Sequence, residues 1–136
     1  MPEEGLKQRW TVATTGTTAA FVVLAALGTL LIRIPIPATT GYFNVGDVFV
    51  ILGGLWLGPI AGLVVGMIGP TMADAIGYPQ FILATAVTKG LEGLLVGLVG
   101  YGKVAGVRRK TVAAGIGAAT VVFGYFIFEG FVYPAL

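Results

Sequence analysis

The stretch VGDVFVILGGLWLGPIAGLVVGMIGPTMADAI, residues 45–76, settles what class of fold this chain adopts. Its only charged residues are Asp47 and Asp74, one near each end, and almost everything between them is apolar or glycine. A run of this kind reads as membrane-spanning helix, because about 20 apolar residues cross the ~30 Å hydrocarbon layer. The Gly58-Pro59 step interrupts it, as a turn between two short helices or as a kink in one long helix.

Charge separates the two readings. With two helices, Lys7, Arg9, Lys103, Arg108, Arg109 and Lys110 fall on one side of the membrane, which is six of the eight basic residues. With one helix, the later cluster lands opposite the N-terminus. Cytoplasmic segments carry the excess of Lys and Arg, so two spans are expected, with a cytoplasmic N-terminus. Both are shorter than a full crossing and need tilt, bilayer thinning or protein cover.

Ahead of this run, Thr11 to Ile32 forms a first helix. It follows Lys7 and Arg9 like a signal peptide but runs about 20 residues without a small-x-small cleavage site, so it is retained. Pro35 and Pro37 exclude helix in the segment 33–43, which reads as an ordered, irregular loop. Tyr78-Pro79 makes a further turn. The expected helices are 11–32, 45–57, 60–76, 80–101 and 111–128, an all-α integral membrane bundle forming a single domain over residues 1–136. Glu129 to Leu136 then lies outside, and the chain is either a five-helix unit or lacks a final span.

Composition agrees. Hydrophobic residues make up 57% of the 136 and charged residues 10%, with a mean hydropathy of +0.95, against about 25% charged in an average soluble domain. Cys and His are both absent, which removes thiol chemistry, the commonest metal ligands and the commonest general base. No metal, cofactor or catalytic activity is expected, and nothing supports nucleic-acid binding. The lipid bilayer is the implied surrounding.

Against that background Asp47, Asp74, Lys89 and Glu92 stand out. A charge at the bilayer centre costs about 2.5–3.5 kcal/mol on insertion scales and is retained where it faces a cavity, a substrate path or a partner charge. Asn44 and Asp47 open the second helix at the outer side, Asp74 closes the third there, and Glu129 lies just beyond the outer end of the fifth. Lys89 and Glu92 sit deeper and, three residues apart, share a helix face. They form either a structural ion pair or part of a site; Asp47 and Asp74 are either interfacial caps or the mouth of that site.

Tyr42, Phe43 and Tyr125 add aromatic surface suited to a planar polar molecule, as do Trp56, Tyr78 and Gln80, for which a membrane-interface belt is an equal reading. Gly54/Gly58, Gly62/Gly66 and Gly93/Gly97 repeat at spacing four, the pattern that lets helices approach closely. The small face of the first helix, Ala13, Gly16, Thr17 and Ala20, either packs internally or docks another membrane subunit.

The ordered set Gly41-Tyr42-Phe43-Asn44-Val45-Gly46-Asp47, Leu57-Gly58-Pro59-Ile60-Ala61-Gly62, Ala73-Asp74, Gly77-Tyr78-Pro79 and Lys89-Gly90-Leu91-Glu92-Gly93 resembles the S components of energy-coupling factor (ECF) transporters, in particular the riboflavin-transporter-like branch. The resemblance implies a membrane protein of typically six helices that captures a vitamin or related micronutrient from outside without hydrolysing ATP. It implies as partners a transmembrane T subunit and two cytoplasmic ATPases, in a prokaryotic cell membrane, and a first loop, here 33–43, that caps the pocket. The substrate-binding set is then Tyr42, Phe43, Asn44, Asp47, Asp74, Lys89, Glu92, Tyr125 and Glu129. The family's Ala-x-x-x-Ala docking pattern is matched by the looser Gly16 to Ala20. The competing reading is a self-sufficient small transporter or channel subunit in which Lys89 and Glu92 form an ion or proton relay.

Overall fold

The computed structural model describes residues 10–35, 37, 42–102 and 104–135. Among them are five α-helices: α1 (Val12–Leu31), α2 (Gly46–Leu57), α3 (Pro59–Gly77), α4 (Ile82–Gly100) and α5 (Val107–Ile127). Four segments are long and apolar enough to cross a membrane: Val12–Leu31, Pro59–Gly77, Pro79–Gly100 and Val107–Val132. The fifth helix, α2, has 12 residues, about 18 Å at 1.5 Å per residue.

Local chemistry accounts for the boundaries. Thr11 caps α1, its hydroxyl accepting from the Thr14 amide at 3.1 Å, which satisfies one of the free N–H groups of the first turn. At the α2–α3 junction Gly58 has φ +107°, a conformation only glycine adopts cheaply. Pro59 then occupies the first turn of α3, where its missing N–H is no loss. Gly58-Pro59 is thus a turn between two helices. Helix α5 begins at Val107, ahead of the expected Thr111, and its first turn contains Arg108, Arg109 and Lys110. These are good helix formers, and Arg109 Nε donates to the Val99 carbonyl near the end of α4.

The segment expected to be irregular contains a short antiparallel hairpin. Strand β1 (Arg33–Pro35) pairs with β2 (Tyr42–Asn44) in the register Arg33↔Asn44, Ile34↔Phe43 and Pro35↔Tyr42. Residues 36 and 38–41 of the expected capping loop lie outside the described residues, as do the side chains of Tyr42 and Phe43.

Glycine controls the packing. A Cβ on Gly93 would run into the backbone of Gly62, and one on Gly66 into the carbonyl of Lys89, so α3 and α4 lie backbone to backbone. Gly54 of α2 meets Gly93 and Gly97 of α4 in the same way, and Gly28 of α1 meets Gly46 of α2. Such contacts gain dispersion energy that larger side chains would prevent. Helices α3 and α4 are central, with α1 against α2 and α3 and α5 against α4.

Successive helices run antiparallel. Gly53 faces Val65, Gly66 faces Lys89 and Gly117 faces Val96. One end of the bundle therefore gathers the hairpin, the starts of α2 and α4, and the ends of α1, α3 and α5. The opposite end carries Trp10, the Gly58-Pro59 turn and the basic start of α5.

Candidate functional site

The ionisable residues of α2, α3 and α4 converge toward the hairpin end. Lys89 of α4 points at α2, where its ammonium forms an ion pair with Asp47 Oδ1. Glu92 lies one turn along α4, its Oε2 3.8 Å from Lys89 Nζ. Lys89 is 2% and Glu92 1% exposed, whereas Asp47 is 18% exposed. Asp47 is the rim of the cluster and the other two are its floor.

A second branch starts at Asp74 on α3, which is fully buried. Thr85 of α4 donates its hydroxyl hydrogen to Asp74 Oδ2 and lies 2.7 Å from the Tyr125 hydroxyl of α5. A hydroxyl has one hydrogen. Thr85 gives its own to Asp74, so Tyr125 is the donor in the second contact. The Tyr125 ring lies 5.6 Å from Lys89 Nζ, within cation–π range, and joins the two branches.

The network thus runs from Asp74 through Thr85, Tyr125 and Lys89 to Asp47 and Glu92, with one ammonium among three carboxylates. One acceptor in it is open: Glu92 Oε2 is buried without a hydrogen-bond partner among the described residues. Buried polar atoms in folded proteins nearly always have partners, so this oxygen is the exception in the network. Phe81, 1% exposed, forms an apolar wall beside the network. It packs edge-on against Tyr125 at 6.1 Å and at a tilt of 54° against Phe128 at 5.6 Å.

The hairpin is tied to the same end. Asn44 Oδ1 accepts from the Thr29 hydroxyl at 2.9 Å. Arg33 donates to the Thr29 carbonyl at 2.7 Å and to the Ala73 carbonyl at 3.1 Å. Its guanidinium lies 4.7 Å from the centre of the Tyr78 ring.

Of the residues singled out in the sequence, Asp47, Asp74, Lys89, Glu92 and Tyr125 are brought together. Asn44 lies at the base of the hairpin. Tyr42 and Phe43 are on β2. Glu129 falls in a π-helical turn, Phe128–Val132, that continues α5, and no contact joins it to the network among the described residues. Lys89 is held by Asp47 as well as by Glu92. Trp56 is away from the network, exposed and edge-on to Phe21 at 6.1 Å, and Gln80 is exposed. Ala13, Gly16, Thr17 and Ala20 are all exposed along one face of α1, and a Cβ on Gly16 would meet nothing within 4 Å.

Sequence reading missed Thr85, Thr29 and Arg33. A signal for Thr85 existed: it stands four residues before Lys89 and seven before Glu92, on the same face of α4.

Four long apolar helices around a buried polar network make the chain a multi-pass membrane protein. The family model described as the S component of the ECF-type riboflavin transporter matches residues 7–136, and the chain belongs to that family. It is also 41% identical over 97 residues to an uncharacterised protein of Pyrococcus woesei, described by its position in a gap 3′ region. That match covers 71% of this chain and 65% of the relative, so the chain spans just under two thirds of the relative's length.

Proposed function

We propose that this chain is the substrate-capturing subunit of an ECF-type importer and holds a planar, polar micronutrient of the riboflavin class between the hairpin and the Asp47–Lys89–Glu92 cluster. The observation that carries this reading is the open acceptor on Glu92, buried beside an ammonium and an aromatic wall. Lys89 offers a donor, Glu92 and Asp47 offer acceptors, and Tyr125 and Phe81 offer faces for a ring system. A largely apolar pocket with few convergent polar groups is the usual form of a small-molecule site. In this reading the hairpin end faces outward, the N-terminus is cytoplasmic, and the membrane is that of a prokaryotic cell.

Transport requires partners: a transmembrane T subunit and two cytoplasmic ATPases, to which the chain contributes no catalysis. The exposed small face of Ala13, Gly16, Thr17 and Ala20 supports a close helix–helix contact with the T subunit. In the competing reading Lys89 and Glu92, 3.8 Å apart, relay an ion or proton and the chain transports alone.

Mass spectrometry of small molecules retained by protein purified from vitamin-replete cells tests the capture reading. A stoichiometric ring-containing micronutrient is expected. Protein that retains nothing, and that drives uptake in liposomes without partners, would instead establish the self-sufficient transporter.

A further inference from the structure

The first turn of α5 carries Arg108, Arg109 and Lys110 at the end of a helix where cations are disfavoured, because the free N–H groups there already bear partial positive charge. Nothing nearby compensates. No acidic residue occurs between Glu92 and Glu129 in sequence, and among the described residues no carboxylate lies at this end of the bundle. Arg108 and Lys110 form no side-chain hydrogen bond or ion pair among the described residues. Their charge is left for an anion that the chain does not supply.

The depth of the turn identifies that anion. The apolar segment Val107–Val132 has 26 residues, about 39 Å at 1.5 Å per residue, against a hydrocarbon layer of ~30 Å. Gly100, the last residue of α4, lies against Ala113, and α5 begins six residues before Ala113, about 9 Å farther out. The basic turn therefore stands at headgroup level, beside Tyr101, an exposed aromatic residue of the kind found at that depth. Arg109 is tethered to the end of α4 by the Val99 carbonyl, whereas Arg108 is exposed. Four and eight residues on, along the same helix face, come Val112 and Ile116, both exposed, and a side chain at Gly115 would meet nothing within 4 Å. A cation above an exposed apolar strip complements a phosphodiester above an acyl chain, and a free phosphate would use only the top of it.

We propose that the start of α5 is a binding site for an anionic phospholipid. Arg108 contacts the phosphodiester, Arg109 and Lys110 add to the positive field around it, and an acyl chain lies along Val112, Gly115 and Ile116. Occupation fixes the depth of α5, the helix that also carries Tyr125. The site depends neither on the capture reading nor on which leaflet the hairpin end faces.

Native mass spectrometry of the full chain, released from micelles containing equal amounts of phosphatidylglycerol and phosphatidylcholine with identical acyl chains, tests this. Phosphatidylglycerol adducts should dominate on the parent. Arg108→Gln combined with Lys110→Gln should reduce that preference by about 25-fold, roughly fivefold for each cation removed, while Arg108→Lys combined with Lys110→Arg should retain it. Gly115→Leu, which keeps every charge and fills the apolar strip, should lower phosphatidylglycerol retention. Phosphatidylglycerol should also raise the melting temperature of the parent, since a ligand of the folded state stabilises it by mass action, and should leave that of the double Gln variant unchanged. Equal adducts of the two lipids on the parent, or an unchanged preference in a double Gln variant shown by its melting curve to be folded, would overturn the proposal. So would displacement of the lipid by an equal concentration of inorganic phosphate, which would make the turn a free-anion site. A parent without lipid preference whose Arg108→Gln variant loses co-purification with another subunit would overturn it in favour of a protein contact.

Discussion

Lys89 on α4 pairs with Asp47 on α2, 42 residues away in sequence, as well as lying near Glu92 one turn along its own helix. The ammonium is thereby shared between a rim carboxylate and a floor carboxylate. Replacing Asp47 alone leaves Lys89 and Glu92 buried without the closer partner, and breaking a buried pair from one side costs about 3–5 kcal/mol. Asp47→Leu should therefore lower the thermal midpoint in detergent sharply. Asp47→Leu combined with Lys89→Met, compared in a Glu92→Gln background so that no buried carboxylate is left without its cation, should recover much of that loss, because apolar replacement of both partners is often neutral. A double variant as unstable as the sum of its parts would show that the two side chains stabilise the bundle independently and not as a pair.

Glu92→Gln separates binding from folding. The amide keeps the shape and removes a charge whose Oε2 has no hydrogen-bond partner among the described residues, so the melting temperature should hold or rise. A hydrogen bond to a charged group contributes about 1.5–3 kcal/mol, and riboflavin affinity in a fluorescence-quenching titration should fall by about 10- to 150-fold. Unchanged affinity with altered assembly would point to a structural role.

Thr85 serves two partners at once. Thr85→Val removes the donor to Asp74 and the acceptor for Tyr125, leaving a carboxylate and a phenol short of partners at about 1–3 kcal/mol each. Chemical denaturation should show the loss, and Thr85→Ser should restore most of it. Equal stability of the valine and serine variants would contradict the proposed hydrogen-bond chain.

Two glycines should behave in opposite ways. Gly66→Ala places a methyl against the Lys89 backbone, which cannot yield as a flexible side chain would, and folded protein on size-exclusion chromatography should fall. Gly16 has open space around it, so Gly16→Leu should fold and bind ligand normally. It should lose co-purification with the T subunit if the exposed face of α1 is the docking surface.

Glycine spacing and the Gly58-Pro59 step made the bundle legible, because both act locally: one permits close approach and the other breaks a helix. The hairpin was not legible. Its strands are three residues long, too short for a period-two pattern to register, and Pro35 and Pro37 suggest disorder of path more strongly than pairing. The spacing of Lys89 and Glu92 revealed a shared face. It could not reveal Asp47 as a partner, because α2 is set against α4 by backbone contact at Gly54 and Gly97. Thr85 and Arg33 were overlooked for a related reason: a threonine in an apolar helix and an arginine at a helix end are common, and only tertiary packing gives them partners.

Whether the Asp47–Lys89–Glu92 cluster holds a small molecule is decided by a riboflavin titration of the purified chain alongside Lys89→Met, with both proteins shown to be folded by their melting curves. One saturable site is expected on the parent and none on the variant. Equal binding by both, or a folded parent that binds neither riboflavin nor any related ring compound, would contradict the capture reading.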